Sequence, residues 1–160
     1  MKFILSVLVT LLIGMPLCFS QGFVNLNFES ARIIPLAGGI YPYGDIATTN
    51  ALPGWVVYYG ANQQSEITFN APALGSTFVT LYATNGFQLS GNYSVLLQGG
   101  GTATAASITQ TGSVPSSAES LRFIASGAAP FPNTPILTVS LGGHNLPFFA
   151  LSAPVNAPFS

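Results

Sequence analysis

Apolar and polar positions alternate along this chain in short runs, and clusters of Gly, Pro, Asn or Ser interrupt them before a helical period can develop. Phe23-Val24-Asn25-Leu26-Asn27-Phe28 reads as an opening strand. Residues 30–54 hold Pro35, Gly38-Gly39, Pro42, Gly44 and Pro53-Gly54, a long loop region with room for one short strand at 31–34. Further strands are predicted at 55–59, 66–69, 78–83, 93–98, 106–111, 120–126, 136–141 and 145–151. Over 136–141 the alternation is strict, with Ile136 and Thr138 on one face and Leu137, Val139 and Leu141 on the other. No stretch reads as an amphipathic helix, and no internal repeat of solenoid or propeller length occurs. Many short strands in a single domain predict an all-β fold: an antiparallel β-sandwich of two packed sheets, a jelly roll. An immunoglobulin-like sandwich is the alternative, although the Cys-Trp-Cys pattern of true immunoglobulin domains is missing.

Composition agrees with that pattern and narrows the choice of partner. Hydrophobic residues make up 49% of the 160 positions and charged ones 4%, with 17 Gly and 12 Pro, a mixture that breaks helices and supplies turns. Lys2, Arg32 and Arg122 are the cations, and Glu29, Asp45, Glu66 and Glu119 the anions. Binding to nucleic acid or to anionic lipid needs several cations to displace counterions from phosphate, and two arginines beyond Lys2 do not supply them. The expected partners are neutral: a polysaccharide, another protein of the envelope or matrix, or a second copy of the chain through its own strands.

The first twenty residues set the expected compartment. Lys2 precedes the apolar run 3–13, a Gly-Met-Pro break, and Cys18 and Ser20 at the −3 and −1 places of a cleavage site before Gln21. This is the layout of a secretory signal peptide over 1–20, leaving one domain over 21–160. The apolar run is short for a membrane span and no basic stop-transfer cluster follows it, so no stable membrane anchor is expected. A lipidation site at Cys18 would want a small residue where Leu17 stands. Cys18 is the single cysteine and leaves with the leader, so the mature chain has no disulfide. Small extracellular animal domains commonly depend on such staples, and their absence favours a bacterial envelope or secreted protein. Asn92-Tyr93-Ser94 has the form of a glycosylation sequon, incidental in that setting.

Several segments in order carry a resemblance: Asn25-x-Asn27-Phe28-Glu29-Ser30, Leu52-Pro53-Gly54-Trp55-x-Val57, Tyr93-Ser94-Val95-x-Leu97-Gln98 and Ser107-Ile108-x-Gln110-Thr111. Ser120-Leu121-Arg122-Phe123 and Val139-Ser140-Leu141-Gly142-Gly143-His144 continue it. Over residues 23–150 the chain resembles the galactose-binding-like jelly roll of exported bacterial proteins of the PEP-CTERM type. The resemblance implies non-catalytic carbohydrate binding, and a structural calcium held in part by a Glu at the end of the first strand, here Glu29. Asp45, in the following loop, would supply a second oxygen, with backbone carbonyls completing the roughly six to eight ligands calcium takes. The other reading of Glu29 is a strand-end residue paired with Arg32. The chain ends at Ala157-Pro158-Phe159-Ser160 without the Pro-Glu-Pro motif, apolar helix and basic tail of that family. A domain truncated at its C-terminal end, a fragment, and a short family member all fit that departure.

Trp55, Tyr58 and Tyr59 are the candidate ligand-binding residues, because aromatic faces stack on sugar rings. Trp after a Pro-Gly turn at the head of a strand is more commonly part of a core, so Trp55 has a core reading beside the ligand-contact one. Tyr41, Tyr43, Tyr82, Phe87 and Tyr93 are further aromatic candidates on loops or strand ends. His144, in Gly142-Gly143-His144-Asn145, reads as an exposed hairpin-turn residue, lacking the second His or Cys of a metal site. Gly99-Gly100-Gly101 fails the dinucleotide fingerprint at Thr104, and no P-loop Gly-Lys follows. No G-x-S-x-G elbow occurs, and the four acids have no polar context suited to glycoside hydrolysis. The expectation is therefore no enzyme, and a hydrolase would require Asp45, Glu66 or His144 to meet in one cleft. The main expectation is an exported carbohydrate-binding module, and the alternative is a structural or adhesive surface protein with no small ligand.

Overall fold

Strand alternation sends every second residue toward one apolar cluster, and that cluster organises the molecule. The computed structural model describes residues 22–37, 44–71, 79–83, 88–99, 105–127, 136–145, 149–150 and 157–159. The fold is all-β. Its strands in chain order are β1 (Gly44–Ala47), β2 (Val56–Tyr59), β3 (Asn62–Gln64), β4 (Glu66–Phe69), β5 (Val79–Ala83), β6 (Tyr93–Leu97), β7 (Ala106–Thr109) and β8 (Phe123–Ala125). They continue with β9 (Ile136–Leu137), β10 (Ser140–Leu141), β11 (His144–Asn145), β12 (Phe149–Ala150) and β13 (Ala157–Phe159). One helical turn, α1 (Thr48–Ala51), interrupts them.

Two sheets carry the core. The order β1-β4-β5-β6 forms one and β3-β2-β7 the other. Ile46, Ile67, Phe69, Val79, Leu81 and Ala83 from the first meet Val57 from the second, with Ala51 and Leu52 from α1 and its exit, in a single buried cluster. Trp55, Tyr93, Val95, Leu97, Ala106 and Ile108 pack around it. β5 is buried along its whole length, so both of its faces are covered. α1 is fixed by Thr48, whose N–H donates to Ser65 O and whose hydroxyl donates to Gln64 O.

Most of the pairing is antiparallel, as expected, but β4 and β5 run parallel. Threonines tie that pair together: the Thr68 and Thr80 hydroxyls bond one another, and Thr80 donates on to Ala71 O at 2.9 Å. Asn70, at φ 53°, extends the junction: its N–H reaches Leu81 O and its side-chain oxygen accepts from Ala83 N.

The predicted strands at 55–59, 66–69, 78–83, 93–98 and 106–111 are present with ends trimmed by a residue or two. Others are corrected. Residues 23–28 form no strand, because Asn25 and Phe28 adopt positive φ (53° and 64°) and turn the chain. Residues 31–34 form no strand, although Arg32 N–H donates to Asn50 O, and Pro35 makes an isolated bridge to Ile46. The loop region 30–54 instead holds β1 and α1. The single strand expected at 136–141 is split into β9 and β10, which pair with β12 and β11 respectively. The 120–126 strand shrinks to β8, paired with β13. Between β10 and β11, Gly142 (φ 59°) and Gly143 (φ 80°) supply the two left-handed positions of the predicted tight hairpin turn. The export-signal segment 1–20, and Tyr41, Tyr43, Phe87, Gly100 and Gly101, lie outside the described residues. Among the described residues no helix is long and apolar enough to cross a membrane.

Leu81 has no exposed surface and lies in the middle of the strand covered on both faces. Leu81→Ala removes its side chain from the centre of the cluster and is expected to lower the unfolding free energy by about 2–5 kcal/mol. Urea titration of the two proteins checks this.

Candidate functional site

The N-terminal segment 22–30 is fastened to the sheets by amide and carboxylate side chains rather than by strand pairing. Asn25 is the centre of the fastening. Its side-chain oxygen accepts from Ser30 N at 2.9 Å, its amide donates to Pro53 O at 3.3 Å, and its carbonyl accepts the Trp55 indole N–H at 3.0 Å. Gln110, just past β7, holds Val24 from both directions: its Oε1 accepts from Val24 N at 2.6 Å and its Nε2 donates to Val24 O at 2.8 Å. The same Nε2 reaches Gly54 O at 3.0 Å.

Glu29 closes the far end of that segment. Oε1 accepts from Asn92 N (2.8 Å) and Tyr93 N (3.2 Å), and Oε2 accepts from Asn92 Nδ2 at 2.8 Å. The Asn92 side chain, followed by the two backbone donors, holds the Glu29 carboxyl below its ordinary range, and partial desolvation opposes them. Gly91 has φ +68°, and a Cβ there would collide with the Glu29 carboxylate, so glycine is required both by conformation and by space. Asn92 and Tyr93, rather than Arg32, are therefore the partners of Glu29. Asp45 sits on β1 opposite Thr68, and its carbonyl accepts from Leu36 N. Among the described residues no group of three or more His, Cys, Asp or Glu side chains gathers around a common point.

The aromatic candidates part company. Trp55 packs against the core cluster and against Phe28, with ring centroids 5.6 Å apart. Tyr59 follows the core-facing Val57 by two positions and lies opposite Asn62 and Ala106. Tyr58 falls between them and so takes the opposite face of the sheet. Its register partners there are Gln63 on β3 and Ser107 on β7, with Val56 and Thr109 one step along. Gln63 and Thr109 are exposed, and Tyr58, Ser107 and Val56 are half-buried. Tyr82 is buried on β5, and burial raises its phenol pKa. His144 is exposed on β11.

The outward face of β3-β2-β7 is thus a phenol ring between a carboxamide and a hydroxyl, with no charge in the row. Such a surface can stack on an apolar ring face while donating and accepting hydrogen bonds on both sides. Sequence reading singled out Tyr58 but not Gln63, Ser107 or Thr109. The run Asn62-Gln63-Gln64 has no apolar member to mark it as a strand, and only the register brings these residues beside the tyrosine. Asn92 and Gln110 were equally hidden, because their partners lie 63 and 86 residues away. No family model, curated protein or solved structure matches the chain.

A carboxylate held ionised by native-state donors adds stability that is present above its unfolded pKa and lost as pH falls through its lowered folded value. Glu29 is such a group. Glu29→Gln, which loses one acceptor and the charge, is expected to lower the melting temperature at neutral pH. It should also flatten the loss of stability below about pH 5. Melting curves over pH for both proteins test it, and parallel curves would remove Glu29 from this role.

Proposed function

We propose that this protein is a non-catalytic, exported module with a sandwich of the jelly-roll type that binds neutral carbohydrate. The observation that carries the reading is the uncharged row Gln63–Tyr58–Ser107 on the outward face of the three-stranded sheet. A pyranose offers a C–H face to an aromatic ring and hydroxyls around its rim, which an amide and a hydroxyl at either side of the ring complement. The mature chain holds two cations and four anions, which suits an uncharged glycan better than a charged one. Export rests on the leader-like segment 1–20. Trp55 and Glu29 serve structure in this reading: the indole supports the core, and both Glu29 oxygens already accept N–H bonds, so neither is assigned to ligand or calcium.

A second reading, an adhesive or structural surface protein, draws on a different observation. Val114, Leu121, Ile124, Ile136 and Leu141 all expose large apolar side chains, Ile136 to 67%. Gathered into one contiguous patch, such side chains would favour contact with other macromolecules.

Retention of the protein on a panel of insoluble neutral polysaccharides separates the two. Tyr58→Ala is expected to cut the affinity about tenfold or more, and Gln63→Ala less, with melting temperatures unchanged. Retention that persists in a folded Tyr58→Ala protein would place any glycan site elsewhere. No retention on any polysaccharide would favour the adhesive reading.

A further inference from the structure

The described chain beyond β7 stands apart from the part before it. The buried cluster and the residues packed against it run from Phe28 to Ile108, and no described residue after Ile108 belongs to them. Strand pairing divides at the same place. Among the described strands, β1 to β7 pair only with one another, and the later ones pair as β8–β13, β9–β12 and β10–β11. The first part is also closed where it ends. Gln110 holds both backbone groups of Val24, Gly22 bridges to Ser113, and a Cβ on Gly112 would lie 2.8 Å from the Phe23 nitrogen. The two ends of 22–113 therefore lie side by side, as the ends of independently folding units commonly do. Between Ser113 and β8 run residues 114–122, all of them exposed and none in a strand. Within them the Ala118 N–H closes a turn on Pro115 O.

We infer that residues 22–113 fold as a unit of their own and that 114–122 is a processing site, hydrolysed after Glu119 by a glutamate-specific endopeptidase. This divides the single domain over 21–160 that the sequence led us to expect. An endopeptidase takes an exposed stretch of several residues on both sides of the bond it cuts. Ser116 to Arg122 supplies one, with Glu119 at its middle. Arg122 is placed less well, because the next residue, Phe123, begins β8 and is paired with Phe159. Beyond Glu66 the charged side chains of the chain are Glu119 and Arg122, so the connector is marked out by charge from everything around it. The other glutamates are held by the fold: Asn92 and Tyr93 take up the Glu29 carboxylate, and Glu66 lies in β4 opposite Ala47. In the reaction, water adds across the Glu119–Ser120 peptide bond. Its C–N bond breaks, leaving a carboxylate on Glu119 and an amine on Ser120, with no further reagent. The product ending at Glu119 keeps the whole core cluster and the Gln63–Tyr58–Ser107 row. The inference is independent of whether that row binds carbohydrate.

Limited digestion of the full chain with a glutamate-specific endopeptidase, read by intact mass, tests the inference. The first cut is expected at Glu119, ahead of Glu29 and Glu66. Glu119→Gln is expected to slow that cut about tenfold or more and to leave the melting temperature unchanged. The fragment ending at Glu119 is then followed by Trp55 fluorescence on heating. It is expected to melt cooperatively, within about 5 °C of the intact protein. A first cut at Glu29 or Glu66, or no cut below the melting transition, would overturn the processing site. A fragment that has lost its cooperative transition would overturn the independent unit, and the inference with it.

Discussion

Asn25 is the residue on which the arrangement turns. It occupies a left-handed conformation that asparagine tolerates better than most residues, and its side chain and carbonyl then make three bonds, to Ser30 and to the Pro53–Trp55 stretch. One bond points the Trp55 indole into the core region. Another steadies the Pro53–Gly54 turn from which β2 begins. The third closes the bend that delivers Glu29 to the head of β6. Without that bend the opening segment would have no route to either sheet, since it contributes only one isolated bridge of its own, Gly22 to Ser113.

The same chemistry recurs because charges are so few. In chains richer in Arg and Lys, ion pairs commonly join distant segments. Here carboxamides do this: Asn25 and Gln110 on the opening segment, Asn70 where β4 meets β5, and Asn92 against Glu29. A carboxamide donates and accepts at once, so a single side chain can satisfy both backbone groups of a neighbour, as Gln110 does for Val24. Such bonds are directional and little screened by salt, so the fold draws slight support from ionic conditions.

Legibility followed the hydrophobic pattern and failed where that pattern was silent or misleading. β2, β4, β5, β6 and β7 announce themselves through β-branched and aromatic runs bounded by turn residues. The opening segment misled because Val24-Asn25-Leu26-Asn27-Phe28 alternates like a strand, while the property that decided its shape is the tolerance of Asn for positive φ. The run at 136–141 misled in the same manner, since strict alternation states which face each residue would take but not whether a partner strand lies along all of it. The candidate site was half legible. Tyr58 could be singled out as an aromatic in a strand, and Trp55 and Tyr59 beside it in sequence looked like companions. Pleating sends neighbours to opposite faces, and the true companions of Tyr58 come from β3 and β7 through register.

The fastening of the opening segment also bears on the order in which the chain can fold as it is made. Two of its anchors, Asn92 and Gln110, lie 63 and 86 positions downstream of the residues they hold. Asn25 can meet Ser30, Pro53 and Trp55 early in synthesis, whereas the bonds of Glu29 and Val24 wait until residues 92 and 110 have been made, so the segment is seated in two stages.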